Sequence, residues 1–169
     1  MYQFDIQALS DTLDAERRAR GLTWAELVAE INEPFKGTIS IPISLQTIRG
    51  MTKKRSVTSA VVLQVLRWLD RSPESFLQGR KETRASERLP EAGPHQILRF
   101  DTSAIYQALQ DERLRQGKTW AQVASEMPGF TPNMLSNLAD GPLIGFPRVM
   151  MLTQWLGQPA AAYIKPRNR

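Results

Sequence analysis

Gln46, Thr47 and Arg49 are near neighbours, and Lys53, Lys54 and Arg55 follow after Gly50, Met51 and Thr52. An amide side chain offers a donor and an acceptor side by side, the pattern that pairs with an adenine edge. A guanidinium pairs with guanine in the same two-point way. Consecutive cations suit phosphate oxygens. A second set, Asn133, Ser136 and Asn137 with Arg148 beyond, lies in the later part of the chain. These side chains suit recognition, not catalysis. The chain has no cysteine and a single histidine, His95. A thiol nucleophile, a thiolate metal site and a histidine-based triad are thereby set aside. Carboxylate pairs such as Asp111-Glu112 fall on predicted helix faces with basic neighbours, and no phosphate-binding glycine loop is present. The expectation is a non-enzyme with no metal and no cofactor.

The charge agrees with a polyanion partner. The net charge is +5 and the pI about 9.9, and the excess is not gathered in one tail, so any such contact must come from local clusters. The N-terminal Met1-Tyr2-Gln3-Phe4-Asp5 lacks the basic and apolar regions of a leader. No uncharged apolar run is long enough to span a bilayer. A cytoplasmic protein without a membrane partner is expected.

The elements that position these residues occur twice. Residues 4–31 and 100–127 align without a gap at an offset of 96, with 11 identities in 28 positions. The match resumes from Ser44/Thr131 at an offset of 87 and runs to Leu77/Ile164. The first copy therefore carries an insertion, residues 32–43, in which Thr38-Ile39-Ser40-Ile41 alternates as a short strand would. In each copy Ile6, Leu9 and Leu13, or Ile105 and Leu109, recur at helical spacing. Gly21 or Gly117 ends that helix. Thr23 with Glu26, or Thr119 with Gln122, reads as a capping box for the next. Ser44 and Thr131 read as caps of a short third helix whose inward residues are Ile48 and Met51, or Leu135 and Leu138. A fourth helix carries Val62, Val65 and Trp68, or Val149, Leu152 and Trp155. A last helical turn carries Phe76 and Leu77, or Tyr163 and Ile164.

Two short helices joined by a turn within such a unit suggest a helix-turn-helix. The segment Thr131-Pro132-Asn133-Met134-Leu135-Ser136-Asn137-Leu138-Ala139-Asp140-Gly141 resembles the recognition-helix segment of the Cro/C1-type (XRE-family) helix-turn-helix proteins. Trp120-Ala121-Gln122-Val123-Ala124 resembles the family's second helix, and Trp155-Leu156-Gly157 with Tyr163-Ile164 its closing helices. Trp24 and Trp120 depart from the pattern, standing where the family often has a phosphate-binding glutamine. So do the longer turn in copy two and the twelve-residue segment in copy one.

The resemblance implies an all-α chain of two tandem five-helix, lambda-repressor-like domains. Their expected bounds are 1–79 and 100–169, with a charged linker over 80–99. It implies a transcriptional regulator that binds double-stranded DNA in a sequence-specific way. The expected contacts are Ser44, Gln46, Thr47, Arg49, Lys53, Lys54 and Arg55 in the first copy, and Thr131, Asn133, Ser136, Asn137 and Arg148 in the second. A different class of function stays open beside it. In that reading the second copy is an assembly module, using Met134, Met150, Met151 and Phe146 to hold a protein partner or a second copy of the chain.

Overall fold

The computed structural model describes residues 1–38, 43–53, 57–79, 88–140 and 145–168. Lys54, Arg55 and most of the alternating segment, Ile39 to Ile41, lie outside the described residues.

Each half starts with a long helix capped by an aspartate. In the first half α1 spans Ile6–Ala19, and the Asp5 carboxylate accepts from the Ala8 amide at 2.9 Å. In the second half α5 spans Thr102–Arg115, and Asp101 accepts from Ala104 at 3.0 Å. Gly21 and Gly117 follow them at φ 65°, a left-handed conformation that costs glycine nothing. Helices α2 (Trp24–Asn32) and α6 (Trp120–Ser125) then begin with full capping boxes at Thr23/Glu26 and Thr119/Gln122. The short α3 (Leu45–Arg49) and α7 (Pro132–Ser136) are capped by Ser44 and Thr131. Helices α4 (Ser59–Leu69) and α8 (Phe146–Leu156) close the helical scheme, ending on left-handed Asp70 and Gly157.

The expected all-α pair of five-helix domains is not what the chain forms. The closing elements are 3-10 turns, Pro73–Phe76 and Ala160–Tyr163, so neither half has a fifth α-helix among the described residues. A two-stranded antiparallel sheet is also present. Strand β1 (Gln96–Phe100) pairs with β2 (Ile164–Asn168), with Gln96 opposite Asn168 and Phe100 opposite Ile164. Strand β1 begins inside the segment read as a charged linker. Its Ile97 and Leu98 are buried, so this part is held by packing. The first half has the rudiment of the same pairing, a single bridge between Phe4 and Leu77.

The halves are joined reciprocally. Helix α8 grips the first half's extended N-terminus: the Tyr2 amide donates to Gln154 Oε1 at 2.9 Å, and Gln154 Nε2 donates to the Tyr2 carbonyl at 2.8 Å. Helix α4 grips the second half's β1: Arg67 Nη1 donates to the Gln96 carbonyl at 2.7 Å, and Gln64 Nε2 to the Leu98 carbonyl at 3.1 Å. Arg67 and Gln154 are equivalent in the repeat, as are Tyr2 and Leu98. Each fourth helix thus packs on the extended segment of the other half, the arrangement of an isologous two-fold interface. The larger core cluster crosses this junction, bringing Leu98, Phe146, Met150, Ala160 and Ile164 onto Phe4, Leu9 and Val62. A smaller cluster around Ile105, Leu109, Val123 and Leu152 belongs to the second half.

The insertion is anchored at its start. The 3-10 turn Glu33–Phe35 buries Phe35 completely. The buried Asn32 donates from Nδ2 to the Ile43 carbonyl at 2.7 Å, tying the two ends together. The His95 amide donates to the Pro34 carbonyl at 2.8 Å, linking this turn to the approach to β1.

Candidate nucleic-acid interface

Helix α3 is held from behind. Ile48 and Met51 are buried in the larger core, which fixes the rotation of so short a helix and turns Leu45, Gln46 and Arg49 outward. These three, with Gly50 and Lys53, line a shallow open depression. Gln46, Arg49 and Lys53 are exposed, and no described residue pairs with any of these side chains. Ser44 and Thr47 do other work. Ser44 Oγ accepts from the Thr47 amide at 3.1 Å and lies 2.8 Å from Thr47 Oγ1, so Ser44 caps the helix and the two hydroxyls bond each other.

The equivalent face of α7 is poorer in charge. Asn133 and Asn137 are exposed, with side-chain amides free of described partners. Ser136 Oγ donates weakly to the Asn133 carbonyl at 3.4 Å, and Thr131 Oγ1 accepts from the Met134 amide at 3.2 Å. Arg148 is exposed on the first turn of α8. The structure thus groups Gln46, Arg49 and Lys53 on one depression, leaves Asn133, Asn137 and Arg148 exposed in the second half, and gives Ser44, Thr47, Thr131 and Ser136 local bonds. Lys54 and Arg55 lie outside the described residues.

No family model, curated protein or solved structure matches this chain. The functional reading therefore rests on the site itself.

Both halves hold the start of the second helix in the same way. Arg17 lies over the Trp24 ring at 4.6 Å and donates to the Leu22 carbonyl at 2.8 Å. Arg113 lies over Trp120 at 4.8 Å and donates to the Lys118 carbonyl at 2.9 Å. Tyr106 also stacks on Trp120. The tryptophans are half-buried packing residues, although no described residue accepts from the indole N–H of Trp24 or Trp120.

One residue of this site was passed over in the sequence. Leu45 is 37 % exposed at the first position of α3. Its signal was present: it is an apolar residue directly after the Ser44 cap, off the inward stripe of Ile48 and Met51. Phe146 and Met150, expected to serve assembly, are instead fully buried where the halves meet. Met134 and Met151 are half-buried against the second half's core. Among the described residues no helix is long and apolar enough to cross a membrane.

Proposed function

We propose that this chain is a sequence-specific regulator that binds double-stranded DNA, acts in the cytoplasm and is related to the Cro/C1-type helix-turn-helix proteins. The observation that carries the reading is the outer face of α3. The amide of Gln46 and the guanidinium of Arg49 on α3, with the ammonium of Lys53 on the 3-10 turn that follows it, line one open depression without a partner among the described residues, and Ile48 and Met51 hold this segment from behind. Seated in a major groove, this face puts Gln46 and Arg49 at base edges and Lys53 at a phosphate. Leu45 adds an apolar surface suited to a thymine methyl group.

Helix α7 occupies the equivalent place in the second half. It offers Asn133 and Asn137 for adenine but has no described cation beside them. In this reading the first half supplies most of the affinity and the second half adds selectivity. The reciprocal packing of α4 and α8 relates the two reading helices by an approximate two-fold axis. One chain then does what a two-fold dimer does, and the preferred DNA site holds two inverted half-sites of unequal sequence. The assembly reading has lost Phe146 and Met150 to the core, which leaves Met134 and Met151 as its apolar contacts.

Salt titration on a selected duplex tests the electrostatic part. Affinity is expected to fall by orders of magnitude between about 50 and 200 mM salt. An affinity flat across that range would contradict it.

A further inference from the structure

Ser59 and Phe146 hold the same position in the repeat, at the first turn of α4 and of α8. Phe146 is fully buried. Its ring stands edge-on to Phe4, with centroids 4.6 Å apart, in the cluster that holds Leu9, Met51, Val62 and Val65. The repeat's correspondence converts that cluster into Phe100, Ile105, Leu138, Val149 and Leu152, with Ser59 in place of the phenyl ring. Those five residues and Ser59 do meet, and they line a partly open cavity of about 180 Å³. The first half fills its site with a side chain from the second. The second half receives only Ser59 in return, and among the described residues no side chain fills the space of a benzyl group.

We propose that this cavity is a binding site for a monocyclic aromatic acid. The size and lining suit one ring, since an engineered cavity of about 150 Å³ lined by leucine, isoleucine and phenylalanine stays dry and binds benzene. The polar part of the wall sets the charge. Arg99 lines the cavity, is exposed, and has no ion-pair partner among the described residues. The hydroxyl-bearing Thr58 and Thr102 also line it. A guanidinium binds a carboxylate through two parallel, charge-assisted bonds. The ring occupies the vacant phenyl position and the carboxylate meets Arg99. This site does not depend on the DNA reading, and its test needs no DNA.

Fluorine NMR on the full chain gives that test, with 4-fluorobenzoate as the probe and fluorobenzene as its uncharged counterpart. The expected result is saturable broadening of 4-fluorobenzoate, with binding about ten-fold tighter than fluorobenzene, the worth of one charge-assisted pair. Arg99→Gln, on the exposed face of β1, should erase that difference while leaving fluorobenzene unchanged. Ser59→Phe restores the ring that the repeat lacks, and should abolish binding of both probes and raise the melting temperature. Ala60→Leu narrows the same wall from a half-buried position, and should block binding if the larger substitution prevents folding. Absence of saturable broadening with either probe would overturn the site. So would undiminished binding in whichever filled variant is folded. Equal affinity for the two probes would overturn the assignment to an acid.

Discussion

The indole Nε1 of Trp155 donates to a carboxylate oxygen of Glu126 at 2.8 Å. The same bond joins Trp68 and Glu30 in the first half at 3.2 Å. In each half it ties the fourth helix to the C-terminal end of the second, the element on which α3 or α7 packs. Glu126 also receives Lys118 Nζ at 2.6 Å, and these two donors, Lys118 before Trp155, hold its carboxyl below the usual carboxylate range. Trp155→Phe keeps most of the ring and removes only the donor. The expected result is a lowered midpoint in urea unfolding. An unchanged midpoint would mean that the bond forms no more readily than its hydration.

Phe146 contributes to the core of the half it does not belong to. Phe146→Ala should cost about 3–5 kcal/mol. Unfolding followed by Trp fluorescence and by circular dichroism should still give one coincident transition, because Phe4, Phe146 and Met150 share one cluster. Two separated transitions would show that the halves unfold independently.

The insertion is expected to matter through Phe35 and Asn32. Phe35→Ala should destabilise by about 3–5 kcal/mol. Asn32→Ala should cost about 1–3 kcal/mol, because it leaves the buried Ile43 carbonyl without its donor. Denaturant midpoints measure both. Wild-type midpoints would show that this segment does not support α3.

Asp101 links stability to pH. The bond from Lys165 Nζ at 2.8 Å and the Ala104 amide hold its carboxyl below the ordinary value. A depressed carboxyl stabilises the folded state above its ordinary pKa, and that contribution is lost as pH falls through the folded value. Asp101→Asn keeps a competent helix cap and removes the charge. It should cost about 0.5–1 kcal/mol at neutral pH, given the exposure of Lys165. The gap from wild type should close as the pH is lowered below about 4. A gap that is constant from neutral to acid pH would remove the ion pair from the account.

The helices and their caps were legible because their causes are local. Asp5, Thr23, Ser44, Asp101, Thr119 and Thr131 each bond an amide three residues on, and the inward stripes follow the helical period. Strand β1 was not legible. Gln96-Ile97-Leu98-Arg99-Phe100 lacks a clean alternation, sits behind Pro90, Gly93 and Pro94, and pairs with residues at the far end of the chain. Pairings of that range leave no trace in a local window. Phe35 was lost for a related reason, since it lies in the insertion 32–43, which has no counterpart in the second copy to mark it as core. The candidate site was half legible. Cap and period placed Gln46, Arg49, Asn133 and Asn137 outward, but Ser44 and Thr47 could not be seen to bond each other. The Ser59/Phe146 substitution was present in the repeat all along. Its meaning depended on knowing that each half inserts its fourth helix into the other.

The two reading faces should not be equal. Arg49→Ala should weaken binding to the preferred duplex by about 1–3 kcal/mol and relax selectivity at one base pair. Asn137→Ala should cost less, because α7 lacks a neighbouring described cation. Lys53→Ala should weaken all duplexes alike and reduce the salt slope by about one. Fluorescence anisotropy on matched and scrambled duplexes separates these outcomes. A larger loss from Asn137→Ala than from Arg49→Ala would reverse the assignment of the stronger half.

Selection of bound duplexes from a random DNA pool by the intact chain tests the central claim most directly. The account predicts enrichment of one site with two inverted half-sites of different sequence. Arg49→Ala should degrade one half-site and leave the other unchanged. A pool that shows no enriched sequence after repeated rounds at low salt would contradict it.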